Sequence, residues 1–442
     1  VQRLCGLVLN FIYLTLVVAL APWLLDQAFR KQKYRAGFGQ KFLGRVPRRE
    51  GNRPCIWLHA VSVGEVNLLG SLLAELEQVF PEAECVISTT TLTGYQVARS
   101  KYADRLVFYA PLDFSWAVRT AMRRIRPDLL VLAELELWPN LIWAARAAGA
   151  RVAVINGRLS DRSFRGYRRF RRLVGWLLRG IDLIAAQNEQ YAERFRALGA
   201  PAERVVVTGS MKFDGARFDR QNAQTKKLAE LAGVSAGDVV FLAGSTGAPE
   251  EEVALSVFQT LAPEYPRLRL IVVPRHPERF DEVERLIQAA GARYSRRSRL
   301  GATEGMAEQE RILLVDTVGE LGAWWGTAQI AFVGGSLNRR GGQNMIEPAA
   351  FGAAICFGPN TRNFRDIVAV LLAAEAATVV RNAGELMAFV RHCLESPADC
   401  ERLGQIARAL VRAQQGATGR TAERLRQLLI RPAMAEVRPI AA

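Results

Sequence analysis

The sequence predicts an α/β protein with two doubly wound parallel sheets and an apolar helix ahead of them. Three observations carry that expectation. Short apolar runs alternate with helix-length segments in two successive series, the pattern of repeated strand-helix-strand units. A polar stretch at 218–228 separates the series and reads as a linker. Several apolar runs end in small loops of glycine, serine or charged residues, where an open parallel sheet presents ligand-binding groups. The chain then divides into an anchor at 1–28, a first domain at 29–217, the linker, a second domain at 229–410, and a C-terminal helix and tail at 411–442.

Composition narrows the function classes. The 442 residues are 50% hydrophobic with ordinary charge density, which suits two cores and argues against disorder. A net charge of +16 points to an anionic surface or polyanion as partner, either nucleic acid or acidic membrane. Six cysteines without a C-x-x-C pair fit a reduced chain with neither a zinc site nor a disulfide framework.

Leu7 to Leu25 holds about 19 residues without a charge, roughly the length that crosses a bilayer's hydrocarbon core. It lacks the small-residue cleavage pattern of a signal peptide and runs into basic sequence, so it reads as a retained anchor. Asn10 and Pro22 leave room for a shallow insertion as well as a crossing. The cations that follow, among them Arg30, Lys31, Lys33, Arg35 and Lys41, place the body of the protein in the cytoplasm by the positive-inside rule.

Pro54 to Val66 reads as a buried strand, a tight turn and a helix carrying Leu68, Leu69, Leu72 and Leu73. Glu65 falls at the carboxyl end of that strand, either as a reactive group or as a first-turn acid favoured by the helix dipole. Further strands are expected at Cys85–Ser88, Leu106–Tyr109, Leu129–Ala133 and Val152–Ile155. After the first of these, S-T-T-T-L-T-G-Y could receive a phosphate or sugar, or serve as a helix cap. Glu134 and Glu136 have the spacing that shares one face of an extended segment, and burying them together would raise the pKa of one.

Arg158 and Arg162 open a basic stretch that continues through Arg165, Arg168, Arg169, Arg171 and Arg172, interleaved with Phe164, Tyr167, Phe170 and Trp176. Such a face suits nucleic acid, lipid headgroups or water; the upstream anchor favours the headgroups of a phosphorylated lipid. Ile181–Ala186 and Val205–Thr208 close the first series, and Lys212 follows as a point charge suited to a phosphate or carboxylate.

The second series opens with Val239–Ala243 and the loop Gly244-Ser-Thr-Gly247, which matches neither the Walker nor the dinucleotide fingerprint. Leu268–Val273 leads to Pro274 and Arg275, the latter a bidentate fork for phosphate. Asp316 to Glu320 is a loop entering a helix. A strand at Gln329–Val333 then passes through glycines 334, 335, 341 and 342 into an apolar-periodic helical segment beginning near Asn344. That loop is expected to cradle a phosphate, while Glu347 accepts from a ribose diol or complements the helix dipole.

The motifs H-A-V-S-V-G-E, E-L-E-L-W-P-N, N-G-R-L-S-D-R-S, T-G-S-M-K-F-D, P-R-H-P-E-R-F and G-G-S-L…G-G-Q-N-M-I-E-P occur in this order. Together they resemble the 3-deoxy-D-manno-octulosonic acid (Kdo) transferases, over roughly residues 30 to 415. The resemblance implies a GT-B glycosyltransferase: two Rossmann-like domains facing a cleft, the first for the acceptor and the second for the CMP-sugar. It further implies inverting transfer of Kdo from CMP-Kdo to a lipid A precursor, with no metal and no cofactor beyond the donor. The protein would act at the inner membrane, on an anionic surface and not on nucleic acid.

Carried onto this sequence, the resemblance makes Glu65 the catalytic base and Glu134 and Lys212 transition-state stabilisers. Arg158 and Arg162 become acceptor contacts. Pro274, Arg275, Val318, Gly319, Glu320, Gly335, Ser336, Asn344, Met345, Ile346 and Glu347 become the CMP site. The chain departs from the family pattern at Leu135, Gly157, Ser210, Gly247 and Gln343.

Overall fold

The computed structural model describes residues 2–30, 36–301, 305–307 and 309–430. Lys31, Lys33 and Arg35, and the tail at 431–442, lie outside the described residues. The chain forms two compact units, Val1–Gly215 with Gln415–Ala442, and Ala216–Gln414.

The first unit contains strands β1 (Cys55–His59), β2 (Glu84–Thr89), β3 (Val107–Tyr109), β4 (Leu129–Ala133), β5 (Arg151–Gly157), β6 (Leu183–Ala186) and β7 (Val205–Val207). They pair in the order β3-β2-β1-β4-β5-β6-β7, all parallel. Helices α1 (Gln2–Arg30), α2 (Phe38–Leu43), α3 (Val63–Val79), α4 (Leu92–Lys101), α5 (Ser115–Ile125), α6 (Pro139–Ala147), α7 (Asp161–Arg168), α8 (Arg171–Leu178) and α9 (Glu189–Ala197) belong to it. Both faces of a parallel sheet must be covered, and β1 shows how. Its Cys55 and Trp57 join a core with Phe108, Leu130 and Ile142, while Ile56 and Leu58 join another with Leu69, Leu72 and Leu425. Leu425 comes from the closing helix Ala417–Ile430, which packs on α3.

In the second unit, β8 (Val239–Thr246), β9 (Leu268–Pro274), β10 (Tyr294–Arg296), β11 (Ile312–Leu314), β12 (Ile330–Val333), β13 (Ala354–Phe357) and β14 (Ala377–Val379) pair in the order β10-β11-β9-β8-β12-β13-β14. These pairings are parallel as well. Two differences from expectation arise here. Helix α10 (Ala223–Leu231) occupies much of the stretch read as linker, capped by Asn222 and burying Leu228 and Leu231. The helical segment expected from Asn344 onward is a short helix, Ile346–Ala350, because Gly352 at φ 73° turns the chain into β13.

In each unit the strand order reverses about one pair, β1 and β4 in the first and β8 and β12 in the second. At such a switch point the connections leave to opposite sides of the sheet and open a crevice at its carboxyl edge. Glu65 and Glu134 follow β1 and β4, Gly335 to Glu347 follow β12, and the remaining expected site residues lie at the carboxyl ends of β5, β7, β9 and β11.

Ahead of this framework, α1 is long and apolar enough to cross a membrane over Leu4–Pro22. Its outer face is exposed, and its inner face packs on α5 and α6. Asn10 Nδ2 donates to Ser115 Oγ at 2.8 Å, the Ser115 N–H donates to Asn10 Oδ1 at 2.9 Å, and the Tyr13 hydroxyl donates to Asp113 Oδ2 at 3.2 Å.

Candidate active site

Glu65 is placed by the start of α3. Ser62 caps the helix by accepting from the Glu65 N–H at 3.4 Å. The Glu65 carboxylate reaches back, accepting from the Val61 N–H and from the Ser62 hydroxyl, each at 2.8 Å. This is a reciprocal capping arrangement, so the acid that satisfies the helix terminus is the same acid expected to act as base. The bonds fix its carboxylate at the carboxyl end of β1. Burial pushes its pKa up, and the Glu134 charge adds to the shift.

Glu134 follows β4, the neighbour of β1 across the switch point. Its backbone sits at φ 57°, a left-handed conformation that costs a non-glycine residue about 1 kcal/mol. The Glu134 N–H is held by the Ile155 carbonyl at 2.9 Å. Its carboxylate pairs with Lys212, Nζ to Oε1 at 3.2 Å, so the structure brings Glu65, Glu134 and Lys212 into one charged group. Glu136 joins them: its pKa is pushed up by burial and by the Glu65 and Glu134 charges, while Trp138 Nε1 donates to it at 2.7 Å.

Lys212 lies in a 3₁₀ turn, Met211–Phe213. Sequence reasoning missed the residue that orders this turn. Asn156, buried at the end of β5 with φ 51°, accepts from the Met211 N–H at 3.2 Å and has its own carbonyl held by Gln187 Nε2 at 3.0 Å. A left-handed asparagine directly after an apolar strand was the available signal. Arg158, two residues on, is half-buried, whereas Arg162 projects from α7 into solvent. The exposed arginines of α7 and α8, with Phe170 and Leu173 also exposed, make a basic surface with apolar points.

In the second unit the expected phosphate cradle is already occupied. Glu250, fully enclosed at the first turn of α11 (Glu250–Leu261), accepts four backbone N–H groups. Oε2 takes Gly247 at 2.9 Å and Gly335 at 2.7 Å, and Oε1 takes Ser336 at 2.8 Å and Leu337 at 2.9 Å. The Ser336 hydroxyl donates to the Val333 carbonyl at 2.6 Å and accepts from the Gly358 N–H at 2.8 Å. Gly335 and Ser336 therefore do not offer free amides to a phosphate, which corrects the expectation for that loop. Gly334 lets the two loops approach: a Cβ there would stand 2.6 Å from Thr246 Cα.

Beyond the loop, Asn344 Nδ2 donates to Glu347 Oε1 at 3.0 Å, and Asn344 Oδ1 accepts from the Ile346 N–H at 3.0 Å. Burial pushes the Glu347 pKa up against this bond and the nearby Arg217 charge. Met345 and Ile346 are buried, so only their backbones could meet a ligand. A Cβ at Gly322 would lie 3.7 Å from Glu347 Oε2, which puts the Val318–Glu320 loop beside this acid. Val318 is exposed there and Gly319 has φ 93°. The Glu320 side chain is engaged: Arg297 donates to it at 3.0 and 2.9 Å and Thr317 at 2.7 Å, and it lies below the usual carboxylate range. Pro274 is buried at the end of β9. Exposed Arg275 donates its backbone N–H to the Thr246 carbonyl at 3.0 Å, and its guanidinium makes no hydrogen bond or ion pair among the described residues.

Two seven-stranded doubly wound sheets, each with its polar groups gathered at the carboxyl edge, define a protein of the GT-B fold class. In fold the chain is similar to a solved glycosyltransferase from Rickettsia africae, with a TM-score of 0.57 and 14% identity over 87% of this chain and 100% of that one. Residues 33–215 match the family described as 3-Deoxy-D-manno-octulosonic-acid transferase (kdotransferase). The 3-deoxy-D-manno-octulosonic acid transferase of Haemophilus influenzae is 31% identical over 434 residues, spanning 96% of this chain and 99% of the relative. That of Bordetella pertussis is 33% identical over 441 residues, spanning 95% and 99%. The chain belongs to the Kdo transferase family, enzymes of lipopolysaccharide synthesis.

Proposed function

We propose that the enzyme transfers Kdo from CMP-Kdo to a phosphorylated lipid A precursor of the lipid IVA type, with inversion, at the cytoplasmic face of the inner membrane. The supporting observation is the grouping of Glu65, Glu134 and Lys212 at the carboxyl edge of the first sheet. Glu65 takes the proton from the acceptor hydroxyl as that oxygen attacks the anomeric carbon and CMP departs. A carboxylate whose pKa is raised by burial is a better base than a solvated one. Lys212 offsets the negative charge that develops, and Glu134 holds the ammonium in place.

The first unit takes the acceptor, with Arg158 and Arg162 for its phosphates, and α1 with the basic face of α7 and α8 for the membrane. An apolar helix in the same unit favours an anionic bilayer over nucleic acid as the partner of that face. The second unit takes the donor. Arg275 pairs with the CMP phosphate, Glu347 accepts from the ribose hydroxyls, and the backbones of Val318–Glu320 and Asn344–Ile346 line the nucleotide. Gly335 and Ser336 shape that site through Glu250 without touching the phosphate.

Incubation with CMP-Kdo and a tetraacylated disaccharide bisphosphate, followed by mass spectrometry of the lipid, tests this. The expected product carries one or more added Kdo residues. An unchanged lipid, with thermal stabilisation by UDP or GDP sugars but not by CMP, would overturn the donor assignment.

A further inference from the structure

The inner face of α1 is a built contact. Gly6, Asn10, Tyr13 and Val17 recur at helical spacing, and all four are buried or half-buried. A Cβ at Gly6 would stand 2.9 Å from Asn140 Oδ1, so the helix touches the unit closely at its first turns. Asn10 exchanges two hydrogen bonds with Ser115, at 2.8 and 2.9 Å. Tyr13 donates to Asp113, whose carboxylate also accepts the N–H groups of Asn140 at 3.1 Å and Leu141 at 2.8 Å. The Tyr13 ring packs edge-on against Phe114.

This contact is incompatible with a membrane crossing. The helix rises 1.5 Å per residue, so Tyr13 lies about 14 Å and Gly6 about 24 Å back along its axis from Pro22. In a crossing helix whose C-terminal end leads to the folded unit, Tyr13 would sit near the middle of a hydrocarbon core about 30 Å thick and Gly6 in the leaflet remote from that unit. Their partners Asp113, Ser115 and Asn140 belong to the folded unit and could not follow. Asn10 would then lie in hydrocarbon with its amide unpaired, which costs several kcal/mol.

We infer that α1 lies along the first unit as an in-plane anchor, sunk in one leaflet with both ends on the same side of the bilayer. This rests on the reading that the enzyme works on a membrane. The flanking exposed face, about 100° round the helix from the inner one, is built for acyl chains: Leu7, Phe11, Leu14 and Val18, at 63, 73, 51 and 64% exposure, form an apolar stripe along the helix. Beside it lie two stacked aromatic pairs, Phe38 on Phe42 and Phe114 on Trp116, with Phe38 and Trp116 exposed. An exposed tryptophan settles at headgroup depth. Arg119 and Arg123 are exposed from α5 at i and i+4, one turn on from Trp116, and complement anionic headgroups.

The test uses the full chain carrying Cys5→Ser, since Cys5 is half-exposed and the other five thiols are buried. Leu7→Cys, Phe11→Cys, Leu14→Cys and Val18→Cys are each spin-labelled and bound to phosphatidylethanolamine–phosphatidylglycerol vesicles. Collision with oxygen against a water-soluble nickel chelate then gives the depth of each label. An in-plane helix places all four at one depth, about 5–10 Å below the headgroup boundary. A depth that climbs to the bilayer centre and falls again along the series overturns the inference. Protein that fails to float with the vesicles overturns the membrane reading itself, and this inference with it.

Discussion

Lys212 Nζ stands 3.2 Å from Glu134 Oε1, joining the turn after the last strand of the first sheet to the loop after β4. Neither group is in this position by local sequence alone, since Asn156 orders the turn and a left-handed backbone aims the loop. Lys212→Met and Glu134→Gln should each lower kcat about 100-fold, the scale on which one preorganised charge acts. The double variant should fall little further, because the two act as a unit. Steady-state rates of the three variants check this, and additive losses would dissolve the pair.

Glu65→Gln keeps a side chain able to accept one of the two capping bonds but unable to take a proton. We expect kcat to fall 100-fold or more while stability changes little. Glu65→Ala should lose the rate and also about 1 kcal/mol of stability with the cap. Denaturant unfolding beside turnover distinguishes the two substitutions. A Gln variant as active as the parent removes Glu65 from the role of base.

The pH dependence has a definite sign. A base acts when ionised, and the Glu65 pKa is raised by burial and then by Glu134. The acidic limb of kcat/KM should therefore lie above the ordinary carboxylate range, with activity lost as pH falls through it. Glu134→Gln removes the like charge and should move that limb to lower pH. A limb that stays in place in the residual activity of this variant would show that another group titrates.

For the donor, Arg275→Ala and Glu347→Gln should each weaken CMP binding about tenfold, equivalent to 1.4 kcal/mol. Val318→Ala should leave affinity unchanged, because a loop that meets the nucleotide through its backbone does not depend on that exposed side chain. Calorimetric titration with CMP reads all three.

Glu250→Gln tests the loop beneath the proposed donor site. An amide oxygen can replace only one carboxylate oxygen, and the amide NH₂ would point at two backbone N–H groups. Leaving two buried donors unpaired costs roughly 2–6 kcal/mol. Thermal unfolding should drop by many degrees, and any folded fraction should bind CMP poorly.

Much of the architecture was legible because parallel strands buried on both faces leave plain apolar runs. Cys55–His59 and Leu129–Ala133 are such runs, and Glu65 and Glu134 stand just past them. The edge strands Tyr294–Arg296 and Ala377–Val379 were not legible, being three residues long and mostly half-buried. Glu250 reads locally as an ordinary first-turn acid; its partners Gly335, Ser336 and Leu337 lie more than 80 residues away in sequence. Asn10 likewise reads as a blemish in an apolar span, and its meaning depends on Ser115, 105 residues on. Pairings at such separations leave no periodic trace.

Because Glu250 supplies an anion from within the protein, the glycine loops after β8 and β12 are tied together with no nucleotide needed to hold them. The entropy of ordering them is met once, during folding, and not at every turnover. In the proposed reaction, product then leaves without the loops having to melt, and the next donor meets loops already ordered.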